Sequence, residues 1–116
     1  MNVLEISGDS DAHIADAGFT STVLLEHDQM KVRRITLASG AQIPPCQMHD
    51  DLVFFVISGL VTFRSEGEET LVASPGAVFI PGGTTTRSME AHEASHVVAV
   101  LCRRAATATD GGLSQL

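Results

Sequence analysis

Short runs of apolar or β-branched residues, each closed off by turn formers, decide what this chain can fold into. They are Thr22–Glu26, Met30–Ala38, Leu52–Ser58, Leu60–Arg64, Thr70–Ala73, Ala77–Ile80, Arg87–Glu90 and Ser95–Cys102. Runs this short and this rich in Val, Ile, Thr and Phe read as strands. The dividers include His27-Asp28-Gln29, Ser39-Gly40, Ser58-Gly59, Glu66-Gly67, Ser74-Pro75-Gly76 and Pro81-Gly82-Gly83, residue types that reverse a chain. No segment sustains a 3.6-residue apolar period, so helix is expected to be minor. The pattern predicts an all-β sandwich or small barrel.

With 116 residues the chain is long enough for one core and too short for two. Residues 1–102 are read as a single barrel domain. The tail 103–116, RRAATATDGGLSQL, has no pattern that would bury it and is expected to be loosely ordered. Seven basic against fourteen acidic residues give a formal charge of -7, and the Lys and Arg residues are scattered. Nucleic acid and anionic membranes are therefore excluded as expected partners. The first residues, MNVLEISGDSDAHIADAG, carry neither a basic leader region nor a membrane-length apolar run, which gives a soluble, cytoplasmic protein as the expectation. In a reducing cytoplasm Cys46 and Cys102 are expected to be thiols.

Two irregularities carry information. In MKVRRITLA the apolar positions are Met30 and Val32, then Ile35 and Leu37, a phase slip at Arg33-Arg34. It implies either a bulge with both arginines in solvent, the simpler reading, or an arginine turned inward. The run LVFFVI is apolar on both faces, so its outer face needs a cover. An N-terminal strand or a second subunit would supply one, and a homodimer is the expected assembly.

Two stretches share a glycine and proline frame. In the first, Gly40 is followed by AQIPP, then Cys46, Gln47, Met48, three residues, Leu52, six residues and Gly59. In the second, Gly76 is followed by AVFI, then Pro81, Gly82, Gly83, two threonines and Thr86. In order and spacing these stretches, within 39–90, resemble the two motifs of the cupin superfamily, the small RmlC-like jelly rolls among them. The first family motif runs glycine, five residues, His-x-His, three or four residues, glutamate, six residues, glycine. The second runs glycine, five residues, proline, any residue, glycine, two residues, histidine, three residues, asparagine, and is one residue shorter here before Pro81. The resemblance implies a cupin-type double-stranded β-helix, a jelly-roll barrel. The frame residues have backbone duties: Gly59 is expected to need a positive φ in a tight hairpin, and Pro81-Gly82-Gly83 to end a strand and reverse the chain.

The resemblance also implies where a metal would be held, at the positions of Cys46, Met48, Leu52 and Thr86. All four depart from the motif. Leucine cannot ligate and threonine is a poor neutral ligand, so the usual Fe²⁺, Mn²⁺ or Ni²⁺ site is not expected. A one-residue slip in the second motif would bring Arg87 to the histidine position. Cys46 and Met48 are soft donors that, with His49, outline a site for Cu(I) or another thiophilic ion; equally, they fill the barrel as hydrophobes. Cys46 as a nucleophile lacks an activating base. Asp50 and Asp51 read as loop charges.

Strand parity then predicts a ligand cup lined by Cys46, Met48, Phe54, Val56, Thr86 and Ser88, apolar with a few hydroxyls and a thiol. The favoured expectation is a metal-independent protein that binds a small molecule in the barrel, or a sensor or accessory domain, without a catalytic constellation. Two alternatives stand beside it: a soft-metal protein using Cys46 and Met48, and a metal-dependent enzyme with ligands from other positions such as His49 and His96.

Overall fold

Strand by strand, apolar alternation builds two antiparallel sheets around one core. The computed structural model describes residues 1–6, 18–47, 49–83 and 86–103, except for the side chains of Cys46, Gln47 and Thr86. Nine strands appear among these residues: β1 (Phe19–Glu26), β2 (Met30–Leu37), β3 (Gln42–Gln47), β4 (Asp51–Ser58), β5 (Leu60–Ser65), β6 (Glu68–Ala73), β7 (Gly76–Ile80), β8 (Thr86–Ala91) and β9 (Ser95–Cys102). One sheet has the order β1-β2-β9-β4-β7 and the other β3-β8-β5-β6. This is the expected all-β jelly roll. Among the described residues no helix is long and apolar enough to cross a membrane. Of the expected loose tail, only Arg103 lies within the described residues, and its N–H donates to the Gln29 carbonyl.

β4 explains why the sheets close on each other. Leu52, Phe54 and Val56 are 1–3 % exposed and join Val61, Phe63, Met89, Ala91, Val97 and Ala99 in one cluster. Side chains of this size contribute roughly 1.5–3 kcal/mol each when buried. Because side chains alternate along a strand, Val53, Phe55 and Ile57 must then face outward. Phe55 and Ile57 stay about 40 % exposed there, so both faces of LVFFVI are apolar as read. On the same outer face Val32 and Val98 are buried without belonging to the core cluster. The N-terminal residues reach this side of the sheet, where Arg34 Nη1 donates to the Glu5 carbonyl at 2.8 Å.

β3 has no counterpart in the sequence-derived strands. Its QIPPCQ sequence holds two prolines, which cannot donate to a ladder. Pairing with β8 skips from Ile43 to Cys46, so Pro44 and Pro45 fall in the irregularity, on the strand at the edge of its sheet. Prolines are tolerated in sheets at such edge and bulge positions.

The phase slip at Arg33-Arg34 also resolves differently from the simpler reading. The β2–β9 register runs unbroken from Met30↔Cys102 to Leu37↔Ser95, so β2 has no bulge there. The irregularity is in β1, between Val23 and Leu25. An unbroken β2 places Arg33 on the side of Ile35 and Leu37, facing the barrel, and its Nη1 donates to Ser21 Oγ at 3.0 Å. Arg34 and Val32 take the outer face. The inward arginine is therefore the correct alternative.

Two glycines of the frame are required by close approach. Gly59 has φ +102°, and a Cβ there would overlap Ser95. The Ser95 hydroxyl accepts from the Leu60 N–H at 3.1 Å and donates to the Glu93 carbonyl at 2.7 Å, tying the hairpin to the start of β9. A Cβ at Gly82 would overlap the backbone carbonyl oxygens of His49 and Asp50. The Gly82 N–H also donates to Asp51 Oδ1 at 2.9 Å. The β3–β4 and β7–β8 connections thus lie against each other at one end of the barrel.

Candidate functional site

At that end the inward positions are fixed by register. On β8, Met89 and Ala91 are buried, so the odd-numbered residues face the barrel and Arg87 is the next of them. Its Cα neighbours across the sheet are Cys46 on β3 and Ser65 on β5. The guanidinium carbon stands 6.0 Å from the ring centroid of Phe54, whose ring is in turn 5.1 Å from that of Phe63. A cation over an aromatic face is attractive, which suits a charge set against an apolar wall.

This register revises the predicted cup. Ser88 pairs with Arg64 and alternates with the inward residues, so it faces away from the core and borders a hollow of about 260 Å³ together with Pro45, Arg64 and Arg87. The barrel side of β8 is thus that of Arg87 and Met89 rather than that of Ser88. Phe54 and Val56 do face inward, but at 3 % and 1 % exposure they are packed into the core at that depth. Met48 and the side chains of Cys46 and Thr86 lie outside the described residues.

Of the four positions at which the motif resemblance implies a metal, only Leu52 has a described side chain. It points into the barrel, is 2 % exposed and offers no donor atom, while Arg87 brings a fixed positive charge to the same end. A hard divalent ion is held by oxygen or imidazole donors, and Leu52 supplies none, so this position does not fit one. Nor do His49 and His96 combine. His49 is an exposed residue just before β4, whereas His96 pairs with Ser58 at the far end of β4 and alternates with buried Val97, on the outer face. Among the described residues no group of three His, Cys, Asp or Glu side chains is arranged to hold a metal.

Sequence reasoning missed a wide opening. A cleft of about 620 Å³ lies where the edge strands β6 and β7 of the two sheets diverge. Its floor is Phe63, Val78 and Ile80, two of them no more than 5 % exposed. Thr70 and Glu68 line it from β6, paired with Phe63 and Ser65 and so on the inward side. The volume suits a small organic molecule. The alternation Glu68, Thr70, Val72 was legible in the sequence, but which two strands leave a gap depends on the sheet order.

On the outer face of β5 a polar network flanks the cleft. Arg64 donates to Glu69 through Nε at 3.1 Å and to Glu90 through Nη2 at 3.0 Å. The hydrogen bond from Arg64 is the main cause that holds the Glu90 carboxyl below the usual carboxylate range, with a bond from Gln42 adding to it. His92 Nε2 lies 2.7 Å from Thr62 Oγ1 on the same face.

Two sheets enclosing a shared core, joined in this order, define a jelly-roll barrel. The same barrel is found in solved cupin structures. The protein TT1209 from Thermus thermophilus matches with a TM-score of 0.77 at 18% identity, over 90% of this chain and 100% of that one. A cupin superfamily protein from Desulfitobacterium hafniense matches at 0.73 and 8% identity, over 89% and 100%. An RmlC-like cupin from Shewanella frigidimarina matches at 0.71 and 14%, over 87% and 92%. No family model matches the sequence, and no curated protein does. Likeness at these identities is a likeness of fold, and fold alone carries no activity.

Proposed function

We propose that this cupin-fold domain binds a small organic molecule without using a metal, in the cleft between β6 and β7. The observation that carries the reading is the pairing of a buried apolar floor, Phe63 and Ile80, with polar groups from one edge strand, Thr70 and Glu68, around a cleft of about 620 Å³. Convergent polar groups over an apolar base are what orient a ligand and exclude water from it. Leu52 supports the metal-free part, since it brings no donor atom to the barrel end. The test is native mass spectrometry of chelator-treated protein against a mixture of small apolar alcohols, acids and amines. One-to-one adducts that disappear in Thr70→Trp, which fills the cleft from an exposed position, support the reading; adducts indifferent to that substitution, or none, contradict it.

We also propose that the chain pairs with a second copy through the outer face of β4 and β7. Val53 pairs with Phe79 and Phe55 with Ala77 on that face, giving a strip of apolar side chains without a charge. Phe55, Ile57 and Phe79 are 40–58 % exposed. A flat apolar strip is complementary to itself, and an isologous contact buries it twice.

A further inference from the structure

Resting on the reading of the cleft as a binding site, we infer its ligand class: a small amine, one ammonium group on an apolar body. The charge balance at the cleft decides this. Its lining includes three carboxylates, Glu66, Glu68 and Glu69, and one cation, Arg64. Arg64 is already engaged by Glu69 at 3.1 Å and Glu90 at 3.0 Å, on the face of β5 that points away from the floor. Arg87, across Ser65 from Glu68, lies against Phe54 and borders an adjoining hollow that shares Ser65, Glu66, Glu68 and Glu69 with the cleft. Counting it, the carboxylates still outnumber the arginines, three to two.

Glu68 is placed differently from its neighbours. Its pairing with Ser65, one inward position beyond Phe63↔Thr70, turns it toward the cleft. Among the described residues its side chain makes no hydrogen bond or ion pair. Glu68 is exposed, and an apolar molecule seated on Phe63, Val78 and Ile80 would offer this carboxylate no partner. A carboxylate ligand would add like charge beside it. An ammonium group would meet it with charge-assisted hydrogen bonds, with the Thr70 hydroxyl within the same wall as a second acceptor.

The experiment follows backbone amides of the full-length ¹⁵N-labelled chain by NMR during titration at neutral pH with three probes of one shape: benzylamine, benzyl alcohol and benzoate. Benzylamine is expected to bind most tightly, to move the amides of Phe63, Thr70 and Ile80, and to lose about threefold in affinity in Glu68→Gln, the worth of one exposed ion pair. Glu69→Gln, which removes a carboxylate held by Arg64 instead, is expected to change affinity less. Benzoate or benzyl alcohol moving the same amides with equal or greater affinity would overturn the amine assignment and leave the cleft standing, as would an unaltered affinity in Glu68→Gln. If none of the three moves those amides, the cleft reading falls with it.

Discussion

The guanidinium of Arg87 lies over the ring of Phe54, 6.0 Å from its centroid. The two residues carry unequal shares of the stability. Phe54 is 3 % exposed and packed on Phe63, so Phe54→Ala should cost about 3–5 kcal/mol. Arg87→Met keeps the apolar stem and removes the charge, and should cost about 0.5–1 kcal/mol, the size of a partly solvated cation–π contact. Urea unfolding of both variants checks the ratio; an Arg87→Met loss matching that of Phe54→Ala would mean the guanidinium holds the barrel together.

The frame glycines should rank by mechanism. Gly40 has φ +83° with open space around it, so Gly40→Ala should cost only the left-handed strain, about 1–2 kcal/mol. Gly82→Ala meets the backbone between His49 and Asp50 and should cost about 1–3 kcal/mol by overpacking, with amide shifts at Asp50 and Asp51. Gly59→Ala combines positive φ with overlap on Ser95 and should be the most damaging of the three. Thermal or urea midpoints give the order directly.

Acid should weaken the Arg64–Glu90 contact in a defined window. The Glu90 carboxyl is held low mainly by the Arg64 hydrogen bond, so its folded value lies below its unfolded one. Its contribution to stability is then fully present above the ordinary carboxylate value of about 4.3 and lost as pH falls through the lower folded value. Glu90→Gln should therefore be slightly less stable than the parent at neutral pH, and the gap should close below about pH 4. A gap constant with pH would assign the effect of the substitution to packing.

Self-association should depend on the outer face of β4. Phe55 is 40 % exposed on an apolar strip, so Phe55→Glu should convert dimer to monomer in light scattering coupled to size exclusion, with little change in folding because the side chain is outside the core cluster. A parent chain that runs as a monomer at high concentration would contradict the proposed pairing.

Much of this architecture is legible in the sequence because strands announce themselves through alternation. Leu52, Phe54 and Val56 against Val53, Phe55 and Ile57 already say that both faces of β4 are covered or exposed together. What alternation cannot convey is a break in it. Pro44 and Pro45 hid β3, since the rule against proline in strands yields at an edge bulge, and edges are known only from sheet order. At Arg33 the rule that arginine avoids interiors favoured a bulge in β2, whereas the extra residue sits in the neighbouring strand β1. At Ser88 a single unit of parity separated the hydroxyl from the barrel and brought Arg87 into it. The cleft, finally, belongs to two edge strands of different sheets, β6 and β7, and no local pattern records that they part.

Whether a ligand is held by this chain's side chains alone is read from the benzylamine dissociation constant, followed on the Phe63, Thr70 and Ile80 amides, before and after chelator treatment and again with one equivalent of Fe²⁺, Mn²⁺, Zn²⁺ or Cu⁺ restored. Binding is predicted to persist in the stripped protein, with a constant that metal leaves unchanged within about twofold, a difference of roughly 0.4 kcal/mol. Binding that vanishes on stripping and returns with one of these ions, at stoichiometric occupancy by elemental analysis, would contradict it.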